Sequence, residues 1–462
     1  MSEQPADGIT LADGTERPHD SVGARTRTPM WAPLRVRNFR FLWLGEAISM
    51  LGDQAYFVAL PWLVLQISGD PLAMGTVLAL AGVPRAIFML LGGALTDRQS
   101  PRTIMLVSNL LRMVLVATMA ALVFTQSMAL WMIYGFALVF GLIDAFFWPA
   151  SLAIVPQLLP PPMLQGANAL VQGTAQTSLL LGPVLAGFAI GALGGQTGAA
   201  AGDAAAGLRG IAVVLAFDAL TFLASAVTLW LLRVPRTASV ADTGADEKQD
   251  SVLRALREGL VAAWQDVSLR TFILIVAAIN FLVTGPIDVG IPVLADARLA
   301  QGATAFGIIM SALGGGALVG MLLAGSLPRP APRRFGPLLL TIVSLLGVGL
   351  IVLAFTTRTW MGAVAGFGMG VSSGYVNILY ITWLQTYVPS SLMGRIMSLA
   401  MFAGVGLTPP AMILSGALAA WNLTAFFCIA GTLLVIITLW CATLPEVREI
   451  GLQEWGKGRI EE

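Results

Sequence analysis

Charge is what this 462-residue chain has least of: Asp, Glu, Lys and Arg make up 11% of it, against 57% apolar residues. A water-soluble protein of that length could not cover its core with so little polar surface. A soluble globular fold is therefore excluded, and a polytopic membrane protein is expected. Histidine is nearly missing as well. The single one, His19, falls in a polar N-terminal stretch, which removes histidine-based catalysis and most metal chemistry. Cysteine occurs twice, at Cys428 and Cys441 in the last apolar segment, where two thiols read as small core residues rather than as a disulfide or metal site. No G-x-x-x-x-G-K-S/T phosphate loop and no zinc-ligand spacing occur, so ATP is not the expected energy source and no enzyme chemistry is indicated. A secretory signal is lacking too, because residues 1–30 carry no apolar core.

What the chain has instead is length in apolar runs. Windows of mostly apolar residues, each long enough to cross a bilayer, recur twelve times, near 39–66, 72–96, 103–124, 129–158, 163–193, 209–233, 270–296, 304–327, 335–356, 359–387, 393–420 and 422–444. Bends are expected where Pro61, Pro84, Pro149, Pro183, Pro292 and Pro409-Pro410 interrupt them. If the N-terminus faces the cytoplasm, that side receives 21 of the 26 Lys and Arg, and the other only Arg209, Arg298 and Arg358. The positive-inside rule then sets both termini in the cytoplasm.

The predicted organisation is a polar, disordered tail over 1–34, a six-helix bundle over 35–234, a cytoplasmic linker over 235–269, a second six-helix bundle over 270–445, and a tail over 446–462. Within the linker, 251–266 has amphipathic spacing suited to the membrane surface. The bundles read as copies: Ala47-Ile48-Ser49 through Pro61 parallels Ala278-Ile279-Asn280 through Pro292, Gly75 parallels Gly307, and Pro160–Leu170 parallels Pro389–Leu399. Such duplication lets two halves rock about a site at mid-membrane. Glycine runs such as Gly314-Gly315-Gly316 and Gly366-x-Gly368-x-Gly370 read as close helix-packing surfaces rather than nucleotide loops.

Charges inside the spans are costly and point to a site. Asp53, Arg85, Arg112 and Asp144 fall at one depth of the first bundle, in four different spans. Two readings stand: a static ion-pair network, or a network whose acids also carry a coupling proton, with Asp53 and Asp144 the better carriers. Glu46 lies two helical turns nearer the N-terminal side, facing either the cavity mouth or the headgroups. Asp218 is expected to have a structural partner rather than a transport role. The second bundle offers Asp288, Asn280, Tyr375 and Asn377 as cavity residues, hydrogen-bonding and aromatic groups that suit a bulky, partly apolar solute. Trp383 and Tyr387, near a span end, read as an interfacial belt.

Between spans 2 and 3 runs Gly92-Gly93-Ala94-Leu95-Thr96-Asp97-Arg98-Gln99-Ser100-Pro101-Arg102, which places an acid and two arginines in a tight turn. Its G-x-L-x-D-R-x-x-x-R pattern resembles the signature loop of the major facilitator superfamily. Leu51-Gly52-Asp53, Ala59 through Val64 and Gly166-Ala167-Asn168-Ala169-Leu170 resemble the superfamily's bacterial exporters, the branch with macrolide-efflux proteins and the enterobactin exporter. Ser178-x-x-x-Gly182-Pro183-x-x-x-Gly187 is similar to the family's antiporter motif, with Ser178 where glycine is common.

The resemblance implies an all-α fold of twelve transmembrane helices in two pseudo-symmetric bundles. It also implies a latch on the cytoplasmic side in which Gly93, Asp97, Arg98 and Arg102 meet the helix starting near Arg395, against the plainer reading that the arginines only anchor the loop. It implies close helix packing at Gly182, Pro183 and Gly187. The activity implied is proton-coupled export of a small amphipathic solute from the cytoplasmic membrane of a bacterium. No cofactor beyond the proton, no metal, no nucleic acid and no subunit partner are expected, so the chain would act as a monomer in its bilayer. Uptake symport, lipid flipping and non-transporting sensing are the alternatives.

Overall fold

In the computed structural model, the described residues are 29–194, 204–233, 261, 264, 267–328, 330–388, 396, 404 and 406–444; at 89–98, 204–206, 267, 268, 271, 272 and 332 only the backbone is described. After a 3-10 turn at Ala32–Arg35, six long helices follow: α1 (Arg37–Ser68), α2 (Pro71–Arg98), α3 (Pro101–Phe124), α4 (Leu130–Leu158), α5 (Pro161–Gly194) and α6 (Ala204–Leu231). The second set is α7 (Val267–Gly285), a π-helical turn (Pro286–Gly290), α8 (Ile291–Arg298), α9 (Ala303–Ser326), α10 (Pro332–Ala354), α11 (Thr359–Tyr387), α12 (Thr408–Trp421) and α13 (Leu423–Cys441). Among the described residues, 11 helical segments are long and apolar enough to cross a membrane. Of the expected span over 393–420, the described part is 406–420 with 396 and 404, and α12 begins within it. The surface-lying segment expected over 251–266 also falls outside them, apart from single residues.

Local chemistry sets the helix ends. Gly69 closes α1 in the left-handed region at φ 62°, which a side chain would resist. The Asp70 carboxylate then accepts from Leu72 N–H at 2.9 Å, and Pro71 opens α2. Proline also opens α3, α5 and α10, where its missing N–H costs nothing. Pro61, Pro84, Pro149 and Pro183 sit inside unbroken helices. The seventh span breaks at Pro286 rather than at the expected Pro292. One extra residue is absorbed there as the π turn, whereas Pro292 lies in the first turn of α8 and is tolerated. The predicted turn over Gly92–Arg102 is also narrower than expected. Nothing before Gln99 breaks the helix, so α2 runs on through Arg98 and the turn is only Gln99-Ser100.

Two faces follow from the alternation of helix directions. The basic face carries the starts of α1, α3, α5, α7 and α10; the far face carries their opposite ends. On the far side the core is continuous across both halves, joining Val58, Leu63 and Met74 to Ile291, Leu294, Phe306 and Met412. Toward the basic face it divides. One cluster holds Phe39, Met105 and Ile154, all from the first half. Another holds Leu269, Leu339 and Trp383, all from the second. Among the described residues, the two bundles thus share one core on the far side and keep separate cores toward the basic face. Trp383 and Tyr387 belong to that second inner cluster, 6% and 8% exposed with rings stacked at 4.7 Å, so they are core residues and not a belt.

Glycines make the far-side closure possible. A Cβ on Gly75 of α2 would lie 3.1 Å from Gly416 Cα of α12. A Cβ on Gly307 of α9 would lie 3.1 Å from Gly187 Cα of α5. Gly75 and Gly307 are repeat mates, and Gly187 and Gly416 are separated by the same 229 residues as the parallel between Pro160 and Pro389. The two seams between the halves are therefore copies of one another, as two parallel bundles related by an axis along the membrane normal require. The other glycine runs also pack helices: Gly316 and Gly320 meet α11 backbone, and Gly370 and Gly374 meet α9 backbone.

Candidate functional site

The intramembrane charges gather around α1, α2, α3, α4 and α6. Arg85 Nη2 lies 2.6 Å from Asp144 Oδ2, and Arg112 bonds the other oxygen, Asp144 Oδ1. Asp144 thus holds both guanidinium groups. Arg112 is 2% exposed and lies over the Phe147 ring at 4.2 Å, with Phe140 and Phe222 at 5.4 and 5.6 Å. Aromatic faces offset part of the cost of taking a guanidinium out of water, which explains how α3 carries one at this depth.

Asp53 stands beside this bridge but outside it. Arg112, Asp144 and Arg85 are among the charges that act on it, yet no ion pair to it forms within 4 Å among the described residues. Of the four charges predicted at one depth, three are joined and one is left half-buried without a direct partner. Glu46 turns neither to the cavity mouth nor to the headgroups. Its Oε1 accepts from Ser225 Oγ of α6 at 3.4 Å.

Asp218 is the residue that sequence reasoning undervalued. It is fully buried, and among the described residues it meets no cation; Thr221 Oγ1 donates to its Oδ1 at 3.3 Å and its Oδ2 has no hydrogen-bond partner. Its charged neighbours are Asp53 and Arg112. A seam of small residues brings it in. Gly45 faces Thr228, and Gly52 faces Thr221 and Asp218, with buried Ser49 between them. Asn109 of α3 reaches the same seam, donating to Ser225 Oγ at 2.8 Å. The spacing of Gly45, Ser49 and Gly52 on one face of span 1 was the signal that an adjacent helix would press close and carry its polar residues with it.

The placement of two acids relative to the far-side closure stands out. From Ala55 to Leu65 every residue of α1 except Phe57 is buried, and Asp53 lies just before that stretch. In the second half Val289 through Ala295 are all buried, and Asp288 lies just before them in the π turn. Each half thus sets one half-buried carboxylate where its first long helix enters the closed core. π turns recur at functional sites because they re-aim a side chain within an otherwise regular helix.

The remaining expected cavity residues are dispersed. Asn280 is half-buried and donates to Val276 O at 2.9 Å within its own helix. Tyr375 is half-buried and Asn377 exposed on α11. Gly182 packs against Gln54 of α1, and the Pro183 carbonyl and Gly187 pack against α9, so this stretch lies in the seam between the halves. Arg102 caps α6 within its own bundle, donating to Leu229 O and Trp230 O at 2.8 and 2.7 Å. The side chains of Gly93, Asp97 and Arg98, and all of Arg395, lie outside the described residues, so the predicted latch does too.

Comparison with known proteins adds to this geometry. The profile of the Major Facilitator Superfamily matches residues 42–408. The chain is 28% identical over 420 residues to "Multidrug efflux pump Tap" of Mycolicibacterium fortuitum, covering 87% of this chain and 94% of that one. It is 20% identical over 418 residues to "Macrolide efflux protein A" of Streptococcus pyogenes, covering 90% and 98%. Among solved structures, a bacterial homologue of the iron transporter ferroportin in an inward-facing state superposes with TM-score 0.63 at 16% identity, over 89% of this chain and 99% of that one. A POT family transporter in complex with 5-aminolevulinic acid gives TM-score 0.64 at 11% identity, over 89% and 96%. At these identities the structural likeness speaks for the fold alone.

Proposed function

The chain belongs to the Major Facilitator Superfamily, and from that premise we propose that it exports a small amphipathic solute across the bacterial cytoplasmic membrane in exchange for protons. Membership makes it a membrane transporter of small molecules rather than an enzyme. Efflux, the activity for which two of its relatives are named, supports the outward direction. With the basic face in the cytoplasm, as the distribution of Lys and Arg favours, the core that the described residues of both halves share lies toward the outer side.

The observation that carries the reading is the charge count around the site. Glu46, Asp53, Asp144 and Asp218 are four acids, and Arg85 and Arg112 are the only bases among them. Asp144 holds both bases. The cluster therefore lacks positive charge, and a proton or a cationic solute supplies it. Asp53, left without an ion pair, is the exchange position in this reading, with Asp144, Arg85 and Arg112 holding the helices around it and Asp288 at the corresponding place in the other half. A solute loaded from the basic side reaches both acids. Protonation of Asp53 and solute binding then compete for the same charge deficit, which couples their movements in opposite directions.

Inverted vesicles with an imposed proton gradient test this. Gradient-driven uptake of a dye or drug that fails in Asp53→Asn is the expected result. Uptake indifferent to the gradient rules out proton exchange. Uptake that runs only with the opposite gradient makes the protein an importer. Binding of solutes with no movement of any makes it a sensor.

A further inference from the structure

On the outer surface of the first bundle, lined by none of the clustered charges, α3 and α6 leave a cavity of about 610 Å³ between them. Its wall is made of small residues: Ala117, Ala120 and Ala121 from α3, and Ala212, Ala216 and Ala219 from α6. Phe124, Val213 and Leu220 line its rim and are 65%, 47% and 63% exposed. The volume falls in the ~300–1,000 Å³ range of small-molecule sites. Its lining is apolar throughout, so it holds a hydrocarbon and not a polar solute.

The axis of the groove is set by α6. Ala212, Val213, Ala216, Ala219, Leu220 and Leu223 follow one another at the spacing of a single helix stripe. Arg209 stands one turn further toward the far face on that same stripe, and it is exposed. Helical side chains lean toward the N-terminus, which for α6 is the far face, so the guanidinium projects from the mouth of the groove toward the headgroup layer. From Arg209 to Leu223 the helix rises about 21 Å, enough to run the ~15 Å of one leaflet's hydrocarbon.

Arg209 is also unusual for its side. Arg209, Arg298 and Arg358 are the Lys and Arg residues of the sequence that fall at the far-face ends of the helices or between them. Arg298 is spent within the protein, donating to Ala354 O at 2.8 Å and Thr424 Oγ1 at 2.6 Å. No acid among the described residues pairs with Arg209. A guanidinium over an apolar slot of leaflet depth matches a phosphate headgroup joined to an acyl chain.

We propose that the α3–α6 groove is a binding site for one anionic phospholipid of the far leaflet, its headgroup on Arg209 and an acyl chain along the alanine wall. The deep end of the groove is walled by Met113 and Leu223, the sequence neighbours of Arg112 and Phe222. The lipid therefore packs directly behind the helices that carry the ion-pair cluster.

The test is native mass spectrometry of the full chain released from nanodiscs of equimolar phosphatidylglycerol and phosphatidylcholine with matched chains. The wild type retains phosphatidylglycerol in preference. Arg209→Gln brings that preference down by about fivefold, the attraction of one basic residue for an anionic lipid. Ala216→Phe fills the slot and lowers retention of both lipids. Arg358→Gln, at another exposed far-face arginine, leaves both quantities as in the wild type. An unchanged preference in Arg209→Gln, an unchanged lipid count in Ala216→Phe, or an equal loss in Arg358→Gln overturns the proposal. Size-exclusion profiles matching the wild type show that each variant is folded.

Discussion

Gly75→Ala and Gly307→Ala should open the far side of this protein. A Cβ on Gly75 would run into the Met412 carbonyl oxygen and lie 3.1 Å from Gly416 Cα; one on Gly307 would meet the Pro183 carbonyl oxygen and lie 3.1 Å from Gly187 Cα. In each case the obstacle is backbone, which has no rotamer to escape into, so the helices must move apart. Overpacking of this kind costs about 1–3 kcal/mol. The cost is met only in the arrangement that closes these seams, so each substitution shifts the balance of closed to open by about 5- to 150-fold. The seams lie in different helix pairs, so the double variant should show nearly the sum of the two free energies. Spin labels at Gln126, between α3 and α4, and at Thr357, between α10 and α11, report the far-face separation by electron–electron resonance once Cys428 and Cys441 are replaced. Both positions are exposed. The expected result is a longer distance that grows in population from single to double variant, with helicity preserved. Distance distributions unchanged in both single variants would refute the idea that these glycines set the closed state.

Three further outcomes follow from the same geometry. Asp144→Asn should lower unfolding stability by about 3–5 kcal/mol, dominated by the buried Arg112, because the 42% exposed Arg85 pair is partly screened; Asp53→Asn, lacking an ion pair, should change it by less than about 1 kcal/mol while abolishing transport, both read by thermal melts beside a flux assay. Trp383→Ala should cost about 3–5 kcal/mol as a core truncation, while Trp360→Ala, at 62% exposure, should cost far less; equal melting temperatures would return Trp383 to the membrane interface. Arg102→Gln should destabilise the first bundle by about 1–2 kcal/mol through the lost cap on α6, measurable in the same melts.

The sequence was able to determine what depends on composition and period. Twenty-residue apolar runs must become helices in a bilayer, because no other backbone arrangement satisfies its hydrogen bonds there. That rule places the spans, and charge asymmetry between their connections orients them on paper. The repeat of Gly75 as Gly307 and of Asp53's depth in Arg85, Arg112 and Asp144 was also legible, since both are periodic or positional facts. Pairing was not. Which carboxylate takes both arginines, that Glu46 turns to Ser225, and that Asp218 joins the cluster all depend on how α1 rotates against α6, and helix rotation is fixed by side-chain packing across helices far apart in the chain. The same holds for the buried stack of Trp383 on Tyr387, which hydropathy alone assigns to a headgroup layer. The break at Pro286 rather than Pro292 turned on register within one helix. Above all, the core that the described residues of both halves share on the far side is a property of two bundles meeting at glycine seams. A linear pattern names the glycines, but only tertiary contact says which backbones they let touch.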